Sequence, residues 1–319
     1  MRRAAALAFL PLIAAAAIAG CGSSSSSSPA AVSSSDSYKS VTVSGAFDKS
    51  PTVKIPKVKG TGDLYTKTVI QGSGATLTAS DGMVGNYVAY DWSGKTSKLL
   101  GSSYTQGTKS LFVGQLLPGL EKALVGQKLG SRVLAVIPPK DAFGSTGNSQ
   151  EGIGASDTLV FVVDMDSTFA TAGVSGAQAS AGAGLPTVTP PAANGTAGPT
   201  IKVATSTSPP KTLQVKPLIK GNGAVVKKGQ DLAVQYTGVI WRTGKVFDSS
   251  YSRKTPLTTV IGEGQVIKGW DTGLVGQTVG SRVLLVIPPA DGYGSAGASQ
   301  AGIKGTDTLV FVVDILAAV

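Results

Sequence analysis

Residues 280–294 read GSRVLLVIPPADGYG, and residues 130–144 read almost the same, GSRVLAVIPPKDAFG. In both copies an apolar, β-branched run bounded by glycine and proline predicts a strand that ends in a tight turn. The likeness continues outward: residues 114–164 and 264–314 align without a gap over 51 positions, of which 32 are identical. The chain therefore contains a duplicated unit, and the positions where the copies differ indicate where their roles differ.

Two units of this size, each with its own strands, are typical of tandem domains rather than of a solenoid. Composition predicts their limits, because segments rich in Ser, or in Ala, Gly and Pro, without hydrophobic periodicity favour disorder. We expect one domain at residues 47–167 and another at 199–319. A disordered Ser-rich tether is predicted at residues 22–46 and a disordered linker at 168–198. Each domain opens close to a shared phrase, PTVK or PTIK.

Local patterns predict the secondary structure of each unit. In the second unit, residues 232–240, 281–289 and 308–316 are β-branched, apolar runs and are predicted to be strands. Residues 266–277 place apolar side chains near helical spacing, which predicts one short helix. The expected fold class is therefore α+β: two domains, each an antiparallel sheet wrapped around one short helix.

The composition excludes several kinds of chemistry. The sequence has no histidine and a single cysteine, which excludes Ser-His-Asp and Cys-His nucleophiles, His-ligated metals, an intramolecular disulfide and a cysteine metal cluster. We therefore expect no metal and no cofactor. The net charge of +10 comes from scattered Lys and Arg, without a basic run interleaved with aromatic residues, so nucleic acid is not an expected partner.

The N-terminus has the pattern of an export signal. Residues 1–21 read MRRAAALAFLPLIAAAAIAGC, a basic start and an apolar stretch that is too short to be a spanning helix. The last four residues, IAGC, resemble the bacterial lipobox, which implies acylation of Cys21 as the first residue of the mature chain. An ordinary secretory peptide with an incidental cysteine remains the alternative. We expect an extracytoplasmic protein, held at the cell membrane by a lipid anchor.

Five phrases follow one another in the second unit: VQYTG (234–238), GKVFDSS (244–250), VIKGWDTGLVG (266–276), VLLVIPPADGYG (283–294) and LVFVVDIL (309–316). By these phrases, in family order, the second unit resembles the FKBP-type peptidyl-prolyl cis-trans isomerases over about residues 213–316. The resemblance implies the same fold as the local patterns do, an antiparallel sheet around a short helix. It also implies proline-containing unfolded or exported polypeptides as substrates, and a macrolide as a ligand.

The resemblance further implies an apolar proline pocket with Trp270 as its floor. The implied catalytic groups are Asp248, Tyr293, Trp270 and Phe247. The implied substrate-binding residues are Tyr236, Arg253, Leu257, Val266, Ile267, Ile303 and Phe311. Within this set, Arg253 would pair with the aspartate, Ile303 would lie on a flap loop, and Leu257 stands where many members have an aromatic residue.

Isomerisation of an X–Pro bond suits a protein without histidine. The barrier to rotation is about 18–20 kcal/mol, and uncatalysed exchange takes roughly 10–100 s. Because no covalent bond forms, an apolar pocket that favours the twisted amide and one or two fixed donors are enough. The resemblance points to the Tyr293 hydroxyl and the backbone N–H of Ile267 as those donors.

The first unit lacks most of the implied pocket. Tyr87 and Phe161 match Tyr236 and Phe311, but the other matching positions carry different residues. The replacements are Leu100 for Phe247, Gly101 for Asp248, Leu120 for Trp270 and Phe143 for Tyr293. We expect the first domain to fold like the second and to be a weak or inactive isomerase, serving as a spacer or binding unfolded chains. The alternative function for the whole protein is non-enzymatic: a surface-binding or chaperone module.

Overall fold

The structure is a computed structural model that describes residues 37–60, 62–94, 96–107, 109–112, 116–191 and 197–319. The predicted signal segment with Cys21, and most of the predicted tether, lie outside these residues. The described residues form two six-stranded antiparallel sheets and divide into two compact units. The unit that contains the second sheet also includes residues 81–85, 110–112 and 166–170 of the first sheet. Within the described residues no helix has both the length and the apolar character needed to span a membrane.

The first domain opens with a short 3-10 helix, Ser37–Ser40, and a hairpin of two strands, β1 (Thr42–Ser44) and β2 (Thr52–Lys54). Its sheet consists of β3 (Tyr65–Ile70), β4 (Asp81–Trp92), β5 (Ser97–Ser102), β6 (Ser110–Phe112), β7 (Arg132–Ile137) and β8 (Thr158–Ala170). The strand order is β3-β7-β8-β4-β5, and β6 also pairs with β4. Its helices are α1 (Ser103–Gln106) and α2 (Pro118–Leu124).

The second domain repeats this plan. Its hairpin is β9 (Thr187–Thr189) with β10 (Thr200–Lys202). Its sheet consists of β11 (Gln214–Ile219), β12 (Asp231–Ile240), β13 (Val246–Ser249), β14 (Leu257–Val260), β15 (Arg282–Ile287) and β16 (Leu309–Ala318). The order β11-β15-β16-β12-β13, with β14 on β12, matches the first sheet. Helices α3 (Ser250–Arg253) and α4 (Lys268–Leu274) complete it. The predicted α+β fold, two sheets each with a helix, is confirmed.

Strand β16 shows how the two faces of the second sheet are used. Because side chains alternate along a strand, Phe311 and Val313 point to the face that packs against Trp270 and Leu274 of helix α4. Their neighbours Val310 and Val312 point to the opposite face, where they belong to a second apolar cluster. Both faces of the strand are therefore buried, which explains why residues 309–313 form a continuous apolar run instead of an alternating one.

Helix α4 lies close against the sheet because of two glycines in its sequence. A Cβ added to Gly269 would lie 2.6 Å from Cγ2 of Ile287, and one added to Gly273 would lie 2.7 Å from Cδ2 of Leu285. Any larger residue would push the helix away from β15. The two glycines lower the helix propensity, but they allow the close approach that places Trp270 over the inner face.

The outer face of each sheet is covered by the chain segment that precedes it, which we call an arm. The first arm, residues 37–55, packs its apolar side chains on the first sheet; these are Tyr38, Val41, Val43, Val53 and Ile55. The second arm, residues 171–191 and 197–203, does the same on the second sheet with Ala181, Leu185, Val188, Ile201 and Val203. The arms lie largely before residues 47 and 199, the predicted starts of the two domains.

The arms are ordered where composition predicts disorder. The described end of the predicted tether contains the 3-10 helix and β1, and the described part of the predicted linker contains the end of β8 and all of β9. The composition of these segments does not show why they are ordered, since both are rich in small residues. Their few apolar side chains recur at spacings that fit the outer face, and burying them offsets the entropy of ordering the chain.

Candidate functional site

Four aromatic rings of the second domain meet on the inner face of the sheet. Trp270 comes from α4, Tyr236 from β12, Phe247 from β13 and Phe311 from β16. The ring of Trp270 is contacted edge-on by Tyr236 at 5.1 Å and by Phe311 at 5.3 Å between centroids, and Phe247 lies 5.5 Å from Phe311 in the same manner. Edge-to-face pairs of this kind are favourable beyond the area they bury.

The remaining apolar residues of the implied pocket belong to the apolar core of the second domain, which also contains Trp270, Tyr236 and Phe311. Ile303 is buried in this core, and three half-buried side chains pack against it: Leu257, Val266 and Ile267. The loop before α4 carries Val266 and Ile267, and Asp271 holds this loop by accepting hydrogen bonds from the N–H groups of Gly262 (2.7 Å) and Gly264 (2.8 Å). The backbone N–H of Ile267 donates no hydrogen bond within the described part of the chain, so it is free to bind a substrate carbonyl.

A carboxylate at the edge of the ring cluster is held by two neighbours. Asp248 accepts short hydrogen bonds from the Tyr236 hydroxyl and from Arg253. Arg253 also donates to the Tyr236 hydroxyl at 2.8 Å and lies 5.7 Å from the centre of its ring. Burial, and then the hydrogen bond to Asp248, raise the pKa of Tyr236 to about 12. Tyr236 therefore stays protonated and donates to Asp248 at neutral pH.

Tyr293 lies at the exposed rim, in the turn that follows β15. It is 42% exposed, and its pKa is raised by partial burial and by the negative charge of Asp248. Its hydroxyl is thus a neutral donor that lies within the influence of the Asp248 charge. The structure places the four rings in mutual contact and Asp248 and Arg253 beside Tyr236, whereas the assignment of all eleven residues to one proline pocket stays a prediction.

Gly238 is a site residue that the sequence analysis missed. It lies opposite Asp248 in the β12–β13 pair, and a Cβ at this position would lie 2.8 Å from Cε1 of Phe311 and 2.9 Å from Cζ of Phe247. The ring cluster therefore requires glycine here. The first domain has Ala89 opposite Gly101, and it carries Leu100 in place of the phenylalanine. The paired change, from Gly238 and Phe247 in the second copy to Ala89 and Leu100 in the first, can be read from the two sequences.

An ion pair at the base of the flap loop was also missed. Arg242 forms two hydrogen bonds to Asp307, at 2.8 and 2.9 Å, and Asp307 also accepts from the N–H of Lys304. The hydrogen bond from Arg242 lowers the pKa of Asp307, which therefore keeps its charge. Because Ile303 precedes Lys304, the pair fixes the end of the loop that brings Ile303 to the cluster.

The first domain has a different arrangement at the corresponding place. Ser93 stands where the second domain has the arginine, and the matching Asp157 interacts with the buried Asp91 instead. Oδ1 of Asp91 has no hydrogen-bond partner in the described part of the chain. Burial and the charge of Asp157 raise the pKa of Asp91 to about 6, although Lys98 acts in the opposite direction. The first domain thus has the buried carboxyl of Asp91 where the second domain has Ile240, one of its core residues.

This carboxyl makes the stability of the first domain depend on pH. The pKa of Asp91 is raised on folding, so the folded state holds its proton more tightly and stability falls as the pH rises from about 4 through 6. We expect Asp91→Asn to stabilise the first domain at pH 7.5 by on the order of 1 kcal/mol and to flatten this decline. Urea unfolding of the full chain at pH 5 and 7.5 measures both effects. Equal pH dependence in the two proteins would contradict the assignment.

In the described residues no group of three His, Cys, Asp or Glu side chains could hold a metal ion.

Comparison with known proteins identifies the family to which the two domains are similar. The family of FKBP-type peptidyl-prolyl cis-trans isomerases matches residues 79–166 and 223–316, together more than half of the chain. An FK506-binding protein of Streptomyces anulatus is 45% identical over 109 residues, which are 34% of this chain and 88% of that protein.

Two other proteins are similar to this chain over more of its length than the Streptomyces protein is. The peptidyl-prolyl cis-trans isomerase FKBP9 of Homo sapiens is 29% identical over 204 residues, which are 64% of this chain and 29% of the human protein. The crystal structure of the three FKBP domains of wheat FKBP73 covers 80% of this chain and 94% of its own, at 21% identity and a TM-score of 0.32. On the strength of the family match and the Streptomyces relative, this chain belongs to the FKBP-type peptidyl-prolyl cis-trans isomerases.

Proposed function

We propose that the isomerase activity resides in the second domain, where it assists the folding of exported proteins. The observation that carries this proposal is the ring cluster around Trp270 with Asp248 at its edge. The first domain has leucine and glycine at those two positions. The same fold is thus present twice, but the groups that line a proline pocket are present once.

The pocket acts on the amide without forming a bond to it. A proline ring placed on the indole of Trp270 is surrounded by aromatic and aliphatic side chains, and water is displaced from the X–Pro bond. The planar amide is more polar than the twisted one, because twisting ends the conjugation between nitrogen and carbonyl. An apolar surrounding therefore lowers the energy of the twisted state relative to the planar state.

Fixed polar groups orient the peptide on either side of the proline. The free N–H of Ile267 and the protonated hydroxyl of Tyr293 are donors for the flanking carbonyls. Asp248 is held by Tyr236 and Arg253, so its charge has a set position next to the rotating carbonyl. Donors that are preorganised in this way cost no rearrangement when the bond turns.

The direct test exchanges residues between the two copies in the full chain. Asp248→Gly with Tyr293→Phe gives the second domain the residues of the first, and we expect kcat/KM for an X–Pro peptide to fall about tenfold or more. The reciprocal change, Gly101→Asp with Phe143→Tyr, should leave activity unchanged because Leu120 and Leu100 remain. Unchanged activity in the first variant, with the fold intact by circular dichroism, would place the reaction elsewhere.

Two further parts of the proposal concern partners. The relatives named FK506-binding protein support a macrolide as a ligand of the same pocket, where it would occupy the place of the proline ring. The sequence of residues 1–21 supports export and acylation of Cys21, and hence a position on the outer side of the cell membrane. The mass of the mature N-terminus tests the acylation, since an unmodified Cys21 or a chain cleaved elsewhere would refute it.

A further inference from the structure

The start of the second arm is hydrogen-bonded to buried groups of the second sheet. The N–H of Val174 donates to Oδ2 of Asp314 at 2.7 Å, and Arg282 donates to the carbonyl of Val174 at 2.8 Å. Gln235 donates from its side-chain amide to the carbonyl of Thr171 at 2.9 Å. The three side chains are almost completely buried, so these bonds fix residues 171–174 firmly on the outer face.

The second arm packs around the side chain of Tyr251. Its hydroxyl donates to Oδ2 of Asp314 at 2.8 Å, the atom that also accepts from the arm. A Cβ at Gly173, where φ is +110°, would lie 2.6 Å from this hydroxyl, and a Cβ at Gly198 would lie 2.4 Å from Cδ2 of the same ring. The arm therefore fits around Tyr251 only because it has glycine at both places.

Two connections lead from the arm to the pocket edge. Tyr251 is part of α3, which begins at Ser250 and ends at Arg253, the residue that binds Asp248. Gln235 accepts a short hydrogen bond from Ser250, and Ser250 in turn accepts from the N–H of Tyr236 at 2.8 Å. Gln235 and Tyr236 are neighbours on β12, so one faces the arm while the other faces the ring cluster.

The first domain holds its arm with the same kinds of residue. Asp164 accepts from the N–H of Asp48 at 2.7 Å and from the hydroxyl of Tyr104 at 2.7 Å, and Arg132 donates to the carbonyl of Gly45 at 3.0 Å. A Cβ at Gly45, where φ is +115°, would lie 3.3 Å from this arginine. The arm contact is thus a feature of both copies, but only the second copy has pocket groups beyond it.

We propose that residues 171–174 position the active site of the second domain, with Gln235 and Tyr251 as positioning residues. The segment between the two domains then acts on the reaction by fixing α3, and with it the geometry of Arg253 and Asp248. This inference rests on the proposed location of the activity in the second domain. A segment that composition predicts to be a linker would thus contribute to catalysis.

The test compares matched changes in the two arms of the full chain. Gly173→Val forces the second arm away from Tyr251, and we expect kcat/KM to fall at least about fivefold, since small displacements of positioned groups are costly. Gly45→Val places the same strained side chain in the first arm, at a positive φ and with a looser contact of 3.3 Å to Arg132, and it should leave kcat/KM unchanged. The 13C signal of the Tyr236 phenol carbon at neutral pH should shift in the Gly173 variant alone, because its bonds to Asp248 and Arg253 change.

A second variant removes the side chains that connect the arm to the pocket edge and leaves the arm's own sequence unchanged. Tyr251→Phe with Gln235→Ala should reproduce the loss of activity and the shift of the Tyr236 signal in a folded protein. Wild-type activity and an unshifted Tyr236 signal in both the Gly173 variant and this double variant would overturn the inference. If the wild-type chain itself is inactive, the proposed function fails, and the Tyr236 signal still reports whether the arm positions the pocket edge.

Discussion

We expect the Trp270→Leu chain to lose at least about tenfold in kcat/KM for an X–Pro peptide, equivalent to roughly 1.4 kcal/mol of transition-state stabilisation. The indole is the surface on which a proline ring would rest, and leucine has neither its flat face nor its width. Tyr236 and Phe311 contact its ring edge-on, so they would collapse into the space left behind. The isomerisation rate is measured with the full wild-type and Trp270→Leu chains under conditions in which urea unfolding shows both to be folded.

Stability must be separated from activity in this experiment. Trp270 is buried, and its replacement by leucine should cost about 2–3 kcal/mol of unfolding free energy in the second domain. Leu120→Ala removes the matching floor residue of the first domain at a similar cost in stability, and it should leave the isomerase rate unchanged. An FK506-type macrolide should quench Trp270 fluorescence in the wild-type chain. Full activity in a folded Trp270→Leu protein would contradict the proposed pocket.

The largest effect on stability is expected from Asp314→Ala. Arg282 and Asp314 form a bidentate pair with both bonds at 2.7 Å and almost no exposure. Removing the carboxylate leaves a buried guanidinium without its partner, as well as the hydroxyl of Tyr251 and the N–H of Val174. Breaking one side of a buried pair costs about 3–5 kcal/mol, and we expect a loss of that size in the second domain.

The first domain offers the matched variant. Asp164 and Arg132 form the same pair, with bonds at 2.6 and 2.7 Å. Asp164→Ala should therefore destabilise the first domain by a similar amount, and the unfolding transition of the second domain should stay where it is. Urea denaturation of both variants in a Trp92→Phe background, followed by tryptophan fluorescence, reports on the second domain, which contains the two remaining tryptophans, Trp241 and Trp270. A loss below about 1 kcal/mol on Asp314→Ala would mean that the pair is not desolvated as the structure has it.

Much of the site was predictable because its residues lie in phrases that resemble the family. The phrase VIKGWDTGLVG predicts the short helix by its spacing, and the resemblance implies Trp270 on it as the pocket floor. The phrase GKVFDSS implies Phe247 and Asp248 by resemblance, whereas the strand β13 that carries them was not predicted. The duplication added a second kind of information, since a comparison of the copies separates what the fold needs from what the pocket needs. Ser-Arg-Val-Leu is kept in both copies, for example, while Trp270 is not.

The arms, Gly238 and the flap ion pair escaped sequence reasoning for physical reasons. Arg242 and Asp307 are 65 positions apart, so no local pattern relates them. Gly238 matters only because two rings from different strands converge on it. The arms have the composition of linkers, and their order depends on an apolar outer face that the strands themselves supply. The apolar run at residues 309–313 of β16 was a signal of that second buried face.

Sequence alone sufficed for the tandem α+β domains, because periodicity, turn residues and the repeat are local properties. The aromatic set of one pocket was implied by the resemblance to the family, and comparison of the two copies then predicted its loss in the first. The tertiary structure was needed to show that Asp248 is bound by Tyr236 and Arg253, that a buried carboxyl replaces Ile240 in the first domain, and that the segment before each sheet closes its outer face. These depend on contacts between residues far apart in the chain, whose energies are set by burial and geometry, and neither is written in the order of the amino acids.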